Sequence, residues 1–286
     1  MTTQEGTVPI DDQHVAPAEA WDAIAAGYDD FVTTGEESFA LDALQIVGLQ
    51  AGERFLDVAA GTGGLSLPAA RLGAAVTAID WSPAMIERLE NRARNEGLDA
   101  VEGRVMDAHN LAFSDNSFDV TGSQFGVMLM PDQIGALREM ARVTAQQGRV
   151  LVIAYGDPEK FEALQLFIAA LQAVVPGFDG LPDDPPPLEF QVSEADVMRA
   201  RLSAAGLTDV HVHTGLVERV EFCDGDGCWN WMRGSNPIVG MILSDFSDAQ
   251  QATVRQVLDG LIRERAGEAT SAVLTAPLTI GWGLKR

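Results

Sequence analysis

Residues Phe55–Pro68 read FLDVAAGTGGLSLP. A short apolar run carries one carboxylate, Asp57, and then turns through Gly61, Gly63 and Gly64 toward a helix near Leu65–Leu72. Glycines at such a turn accept left-handed backbone and let a ligand approach the main chain closely. Strand, glycine turn and helix in succession form the first unit of an open α/β sheet, where ligands bind beyond the carboxyl ends of the strands.

The pattern continues outward from this unit. Apolar runs at Arg54–Ala59, Ala75–Asp80, Ala100–Met106, Phe118–Phe125 and Gly148–Tyr155 read as strands, alternating with amphipathic helices at Leu65–Leu72, Pro83–Glu96 and Asp132–Val143. Ser82 can cap the second of these helices and Pro83 suits its first position; Met85, Ile86, Leu89 and Ala93 give it an apolar stripe. This alternation predicts a doubly wound, mainly parallel α/β sheet. Ahead of it, Trp21, Ile24, Tyr28 and Phe31 share one helix face. Behind it come a helix near Glu159–Val174, the proline-rich loop PGFDGLPDDPPPLEF, a helix at Ser193–Ala205, a strand in TDVHVHTGLVERVEF and a last strand in LTIGWGLK. The chain therefore divides into a loose tail (1–17), an N-terminal helical lid (18–50), a core (51–222), a helical cap inserted before the last strand (223–271) and that closing strand (272–286).

Composition narrows the setting. The 286 residues are 47% hydrophobic and 21% charged, and no apolar run approaches the roughly 20 residues of a membrane span. The N-terminus lacks a signal-peptide pattern, so a cytoplasmic protein is expected. The net charge of −23 opposes a phosphate backbone, and no basic patch offsets it, which argues against nucleic acid as a partner. Lys160 and Lys285 are the only lysines, a bias that, with the abundant Ala and Gly, suggests a bacterial gene rich in GC or some salt adaptation. Cys223 and Cys228 are read as free thiols, and His211 and His213, two apart on a strand with no third ligand, as a solvated face; no metal is expected.

The glycine turn admits several ligands. GTGGLS lacks the lysine of a triphosphate loop. A dinucleotide site gains support from Asp80, which ends the second strand 19 residues after Gly61, but Ser66 stands where its third glycine belongs. Asp57 would also repel a pyrophosphate, whereas it suits a cationic ligand.

Taken together, WDAIAAGYDDF, FLDVAAGTGGLSLPAA, VTAIDWSPAMIERLENRA, GRVMDAHNLAFSDNSFDV and LREMARVTAQQGRVLVIA resemble the class I S-adenosylmethionine-dependent methyltransferases, particularly those of ubiquinone and menaquinone biosynthesis, over about Trp21–Tyr155. The resemblance implies a Rossmann-like, seven-stranded sheet and S-adenosylmethionine, whose ammonium and sulfonium match Asp57. It places Asp57 and the backbone of Ala59, Gly61, Thr62 and Gly63 at the methionine part, and Asp80 on the ribose. Trp81 and Met85 would line the adenine, with Asp107 and the Ala108 N–H at its edge. Gln124 and Phe125 would lie near the reacting methyl, with Tyr28 closing over the cofactor.

The acceptor is less legible. Trp229, Trp231 and Met232 either wall an apolar acceptor pocket or anchor the insertion to the core. His109 and Tyr155 are candidates for a general base. The first reading is methyl transfer by in-line displacement to a small apolar or aromatic metabolite; the alternatives are an NAD(P)-dependent oxidoreductase and a non-catalytic cofactor-binding module.

Overall fold

The computed structural model describes residues 16–178, 180–182 and 184–286, with Thr34 described by its backbone alone. The expected tail lies outside the described residues except for Ala16 and Pro17, and Ala16 is buried.

Two helices, α1 (Ala18–Tyr28) and α2 (Thr34–Ile46), are joined by a π-helical turn at Asp29–Thr33. The sheet then begins with β1 (Arg54–Val58), α3 (Ser66–Arg71), β2 (Ala75–Asp80), α4 (Pro83–Glu96), β3 (Val101–Val105) and β4 (Phe118–Gln124). It continues through α5 (Gln133–Val143), β5 (Thr144–Tyr155), α6 (Glu162–Val174), α7 (Ala195–Ala204) and β6 (Thr208–His213). The chain ends with β7 (Val217–Phe222), α8 (Gly225–Ser235), α9 (Pro237–Ser244), α10 (Asp248–Ala266) and β8 (Ala272–Leu284). The strand order is β3-β2-β1-β4-β5-β8-β6; β1–β5 are parallel and β8 runs antiparallel to β5.

β2 and α4 have the bounds read from sequence. Ser82 Oγ accepts the Met85 N–H at 3.1 Å, Pro83 opens α4, and Gly97 closes it with φ 69°, where a side chain would be strained. The central strand β1 is buried from Phe55 onward, as expected for a parallel strand covered on both faces.

Among the described residues the sheet has eight strands where seven were expected. The single edge strand read from TDVHVHTGLVERVEF breaks at residues 214–216 into β6 and β7, and both pair with the 13-residue β8. The last strand starts at Ala272, where the closing segment was expected to begin, and so extends well ahead of LTIGWGLK. Its first half belongs to a second apolar core, in which Leu274 joins Phe161, Phe167, Trp229, Leu258 and Ile262. α6 and half of β8 thus share one core with the inserted helices α8–α10. The expected boundaries at residues 222 and 272 follow the sequence order rather than this packing.

The N-terminal helices are tied down on both sides. Arg92 of α4 bridges Asp29 (2.9 Å) and Glu37 (2.6 Å), and Arg71 of α3 also meets Glu37 (2.6 Å). On the other side α1 crosses α8 at Gly27 and Gly234, where a Cβ on Gly234 would lie 3.3 Å from the Gly27 main chain. Two glycines here let the helix backbones meet directly.

Candidate functional site

The strand order reverses between β1 and β4, so a crevice opens beyond their carboxyl ends. Both strands leave through a non-glycine residue in left-handed backbone, Ala59 and Phe125, each with φ 57°. Strained backbone of this kind concentrates where a site is held in a fixed shape. A cavity of about 350 Å³ lies there, roofed by α1, α2 and the inserted helices.

Most residues singled out from the sequence meet in this cavity. Ala59 and Gly61 form its floor; Asp80, Trp81, Met85, Asp107 and Ala108 form one wall; Gln124 and Phe125 stand at the end of β4. Tyr28 covers Gly61, where a Cβ would lie 3.7 Å from the tyrosine ring. Tyr155, Trp231 and Met232 line the far side.

Four residues lie elsewhere. Asp57 sits beneath the turn, fully buried, with Oδ2 accepting from Ser66 Oγ at 2.6 Å. Thr62 is buried against the Thr33 hydroxyl. Gly63 makes room for Leu67 and Leu89, which a side chain there would strike, so its smallness serves the packing of α3 and α4. Trp229 is off the cavity, buried against Phe167 with ring centroids 6.2 Å apart; it anchors the insertion.

His109 lines the cavity but is paired with Asp107, its Nδ1 3.0 Å from Oδ1. It follows β3, three strand positions from β4, or roughly 14 Å at the usual strand spacing. That places it on the wall of Asp107, away from Phe125. Tyr155, at the end of β5, stacks directly on Phe125 with centroids 4.3 Å apart. Among the described residues no group of His, Cys, Asp or Glu is placed to hold a metal ion.

The electrostatics are acidic and buried. Asp80 accepts backbone N–H groups from Gly61 and Ser82, both at 2.9 Å; burial still raises its pKa to about 6. Burial raises Asp57 to about 7, against the hydrogen bond from Ser66, and the charge of Asp80 adds to the rise. The second oxygen of Asp57 has no hydrogen-bond partner among the described residues.

Three functional positions escaped the sequence reading. Glu36 of α2 is buried and accepts from Tyr28 Oη at 2.8 Å and from Gln124 Nε2 at 3.2 Å; burial lifts it to about 7. It occupies the apolar stripe of Phe39, Ala40, Ala43 and Leu44, where a carboxylate is out of place, and that was its available signal. Glu218 shares a face of β7 with Val220 and Phe222 and accepts from Tyr155 Oη at 3.1 Å. Asp22 of α1 accepts from Ser82 Oγ and from the Ala84 N–H, fixing α1 to the start of α4.

A glycine turn at the switch point, an acid ending the second strand and another beyond the third define an α/β protein built to hold a nucleoside. Among the described residues the second oxygen of Asp57 has no partner, so this carboxylate beneath the turn makes the turn unfavourable for a pyrophosphate. Comparison with known proteins agrees. Residues 56–152 match the family described as Methyltransferase domain. An uncharacterized protein of Mycobacterium tuberculosis is 34% identical over 175 residues, 61% of either chain, so the match spans less than two thirds of that relative. A demethylmenaquinone methyltransferase of Paenarthrobacter aurescens is 30% identical over 207 residues, covering 68% of this chain and 79% of the relative. The YcgJ protein of Bacillus subtilis shares the fold at 19% identity, with a TM-score of 0.57 over 87% of this chain and 99% of that one. The chain belongs to the class I S-adenosylmethionine-dependent methyltransferases. The family's cofactor is S-adenosylmethionine.

Proposed function

We propose that the protein methylates a small apolar or aromatic metabolite. The observation that carries this reading is the wall beyond Phe125, where Tyr155, Phe161, Leu164, Trp231 and Val239 bound the cavity with aromatic and aliphatic surface. On this reading Asp80 accepts the ribose hydroxyls, Trp81 and Met85 flank the adenine, and Asp107 with the Ala108 N–H meets its edge. Glu36, which lines the cavity, offers a carboxylate to the ammonium group, and Asp57 adds negative charge from beneath the turn. The bound cofactor supplies a methyl group on a sulfonium, which leaves as a neutral thioether. The chain's own work is then alignment and exclusion of water. Tyr28 and α1 close over the turn, and the cap helices enclose the acceptor.

The name of the Paenarthrobacter relative gives demethylmenaquinone as its substrate, whose flat quinone ring is of a kind this wall would accommodate. The net charge of −23 disfavours nucleic acid. A cytoplasmic setting suits the free thiols Cys223 and Cys228 and a cofactor made inside cells. The test is incubation with S-adenosylmethionine and a panel of phenols, hydroquinones and apolar amines, following S-adenosylhomocysteine by mass spectrometry. Acceptor-dependent product is expected. Tight cofactor binding without turnover on any acceptor would favour a non-catalytic binding module.

A further inference from the structure

Tyr155 and Glu218 form a buried pair on the acceptor side of the cavity. Tyr155 stacks on Phe125 (4.3 Å between centroids) and packs against Phe161 in a tilted arrangement (4.6 Å), which fixes its ring, and its hydroxyl donates to Glu218 Oε2 at 3.1 Å. Glu218 is 1% exposed, and Oε1 has no partner among the described residues. A carboxylate buried with one oxygen unpaired is costly to keep. Packing does not require it, because β7 presents Val220 and Phe222 on the same face.

The cavity lining adds a second observation. It contains Glu36, Asp80, Asp107 and Glu189 but no lysine or arginine among the described residues. Such a wall repels an acceptor that arrives already ionised. A hydroxyl acceptor that enters neutral must give up its proton as it reacts.

We infer that Tyr155 and Glu218 receive that proton, with Tyr155 touching a hydroxyl-bearing acceptor and Glu218 acting through it as a positioning residue. This deepens the methyl-transfer reading and rests on it. The acceptor oxygen forms its bond to the methyl carbon as the carbon–sulfur bond breaks, and that electron pair stays on sulfur. The acceptor's proton passes to Tyr155 Oη while Tyr155's own proton passes to Glu218. Burial, reinforced by the charge of Glu36, raises Glu218 to about 8, so its carboxylate is a stronger base than an ordinary one and becomes the prevailing form as pH rises through that value. Tyr155 on β5, Glu36 on α2 and Tyr28 on α1 are the titratable groups that bear on it.

The test compares two phenols with the full-length protein: 4-nitrophenol, which ionises near neutral pH, and 4-methylphenol, which does not. Glu218→Gln should lower kcat on 4-methylphenol about 100-fold, within the range for loss of a general base, and at least tenfold less than that on 4-nitrophenol. Tyr155→Phe should behave alike, and the double variant should lose no more than either single one. The wild-type rate on 4-methylphenol should rise with pH through the titration of the pair, and Glu218→Gln should lose that limb. Unchanged S-adenosylhomocysteine affinity verifies that the variants fold. Equal losses on both phenols, or no loss on either, would overturn the pair. Wild-type protein that binds S-adenosylhomocysteine yet methylates neither phenol contradicts the acceptor class itself, and the pair with it.

Discussion

Ala59 and Phe125 leave neighbouring parallel strands with the same left-handed backbone, φ 57° at each. Non-glycine residues held there cost of order 1–3 kcal/mol each. The residue after Phe125 shows what holds the pair: a Cβ on Gly126 would collide with the Ala59 methyl and lie 2.7 Å from Ser123 Oγ. Gly126→Ala should therefore destabilise the protein by about 1–3 kcal/mol in urea unfolding and weaken cofactor binding. Ala59→Gly relieves strain but frees the unfolded chain, so its net effect should stay within about 1 kcal/mol. A neutral Gly126→Ala would show that the strands leave the sheet more loosely.

Asp80 holds the turn through the Gly61 and Ser82 N–H groups and, in the proposed site, the ribose as well. Asp80→Ala should weaken S-adenosylhomocysteine binding by about 1.5–3 kcal/mol, the scale of hydrogen bonds to a charged group. Calorimetry gives the difference directly. Wild-type affinity in Asp80→Ala would place the ribose elsewhere.

Glu36, Asp57, Asp80 and Glu218 hold their protons to about pH 7, 7, 6 and 8 in the fold, well above an unfolded carboxyl near 4. Between those limits the folded chain binds more protons than the unfolded one. Their contribution to stability is fully present below about pH 4 and is lost as pH rises through 6–8. The melting temperature of cofactor-free protein should fall from pH 5.5 to 8.5. S-Adenosylmethionine, which in the proposed site brings positive charge to Glu36, should restore most at the upper end. A melting temperature that climbs across this window would contradict the assignment of these carboxylates.

Trp229 and Trp231 stand two apart on one helix, so they face different ways. Trp229 meets Phe167 in the second core; Trp231 meets Phe161 and Phe222 and reaches the cavity. Trp229→Ala should cost about 3–5 kcal/mol of stability. Trp231→Ala, in folded protein, should reduce acceptor-dependent turnover with S-adenosylhomocysteine affinity unchanged. If both variants alter turnover equally, α8 acts only as a support.

Much of this was legible because the relevant signals are local. Period, cap and stripe set α4 to the residue, and the acid at the end of β2 marks its own place. What was not legible depends on three-dimensional neighbours. Trp229 could not be told from Trp231 until the helix carrying both was known. The break at residues 214–216 arises from how one long strand, β8, serves two cores. Glu36 and Glu218 interrupt apolar patterns, a visible anomaly, but their tyrosine partners lie 8 and 63 residues away in sequence.

The central claim is that the cavity beyond β1 and β4 holds S-adenosylmethionine. Titration calorimetry of the purified chain at pH 7.5 with S-adenosylmethionine, S-adenosylhomocysteine, NAD and NADP tests it most directly. Both adenosyl compounds should bind with one site per chain, and neither dinucleotide should bind comparably. Tighter binding of NAD or NADP than of either adenosyl compound would contradict it.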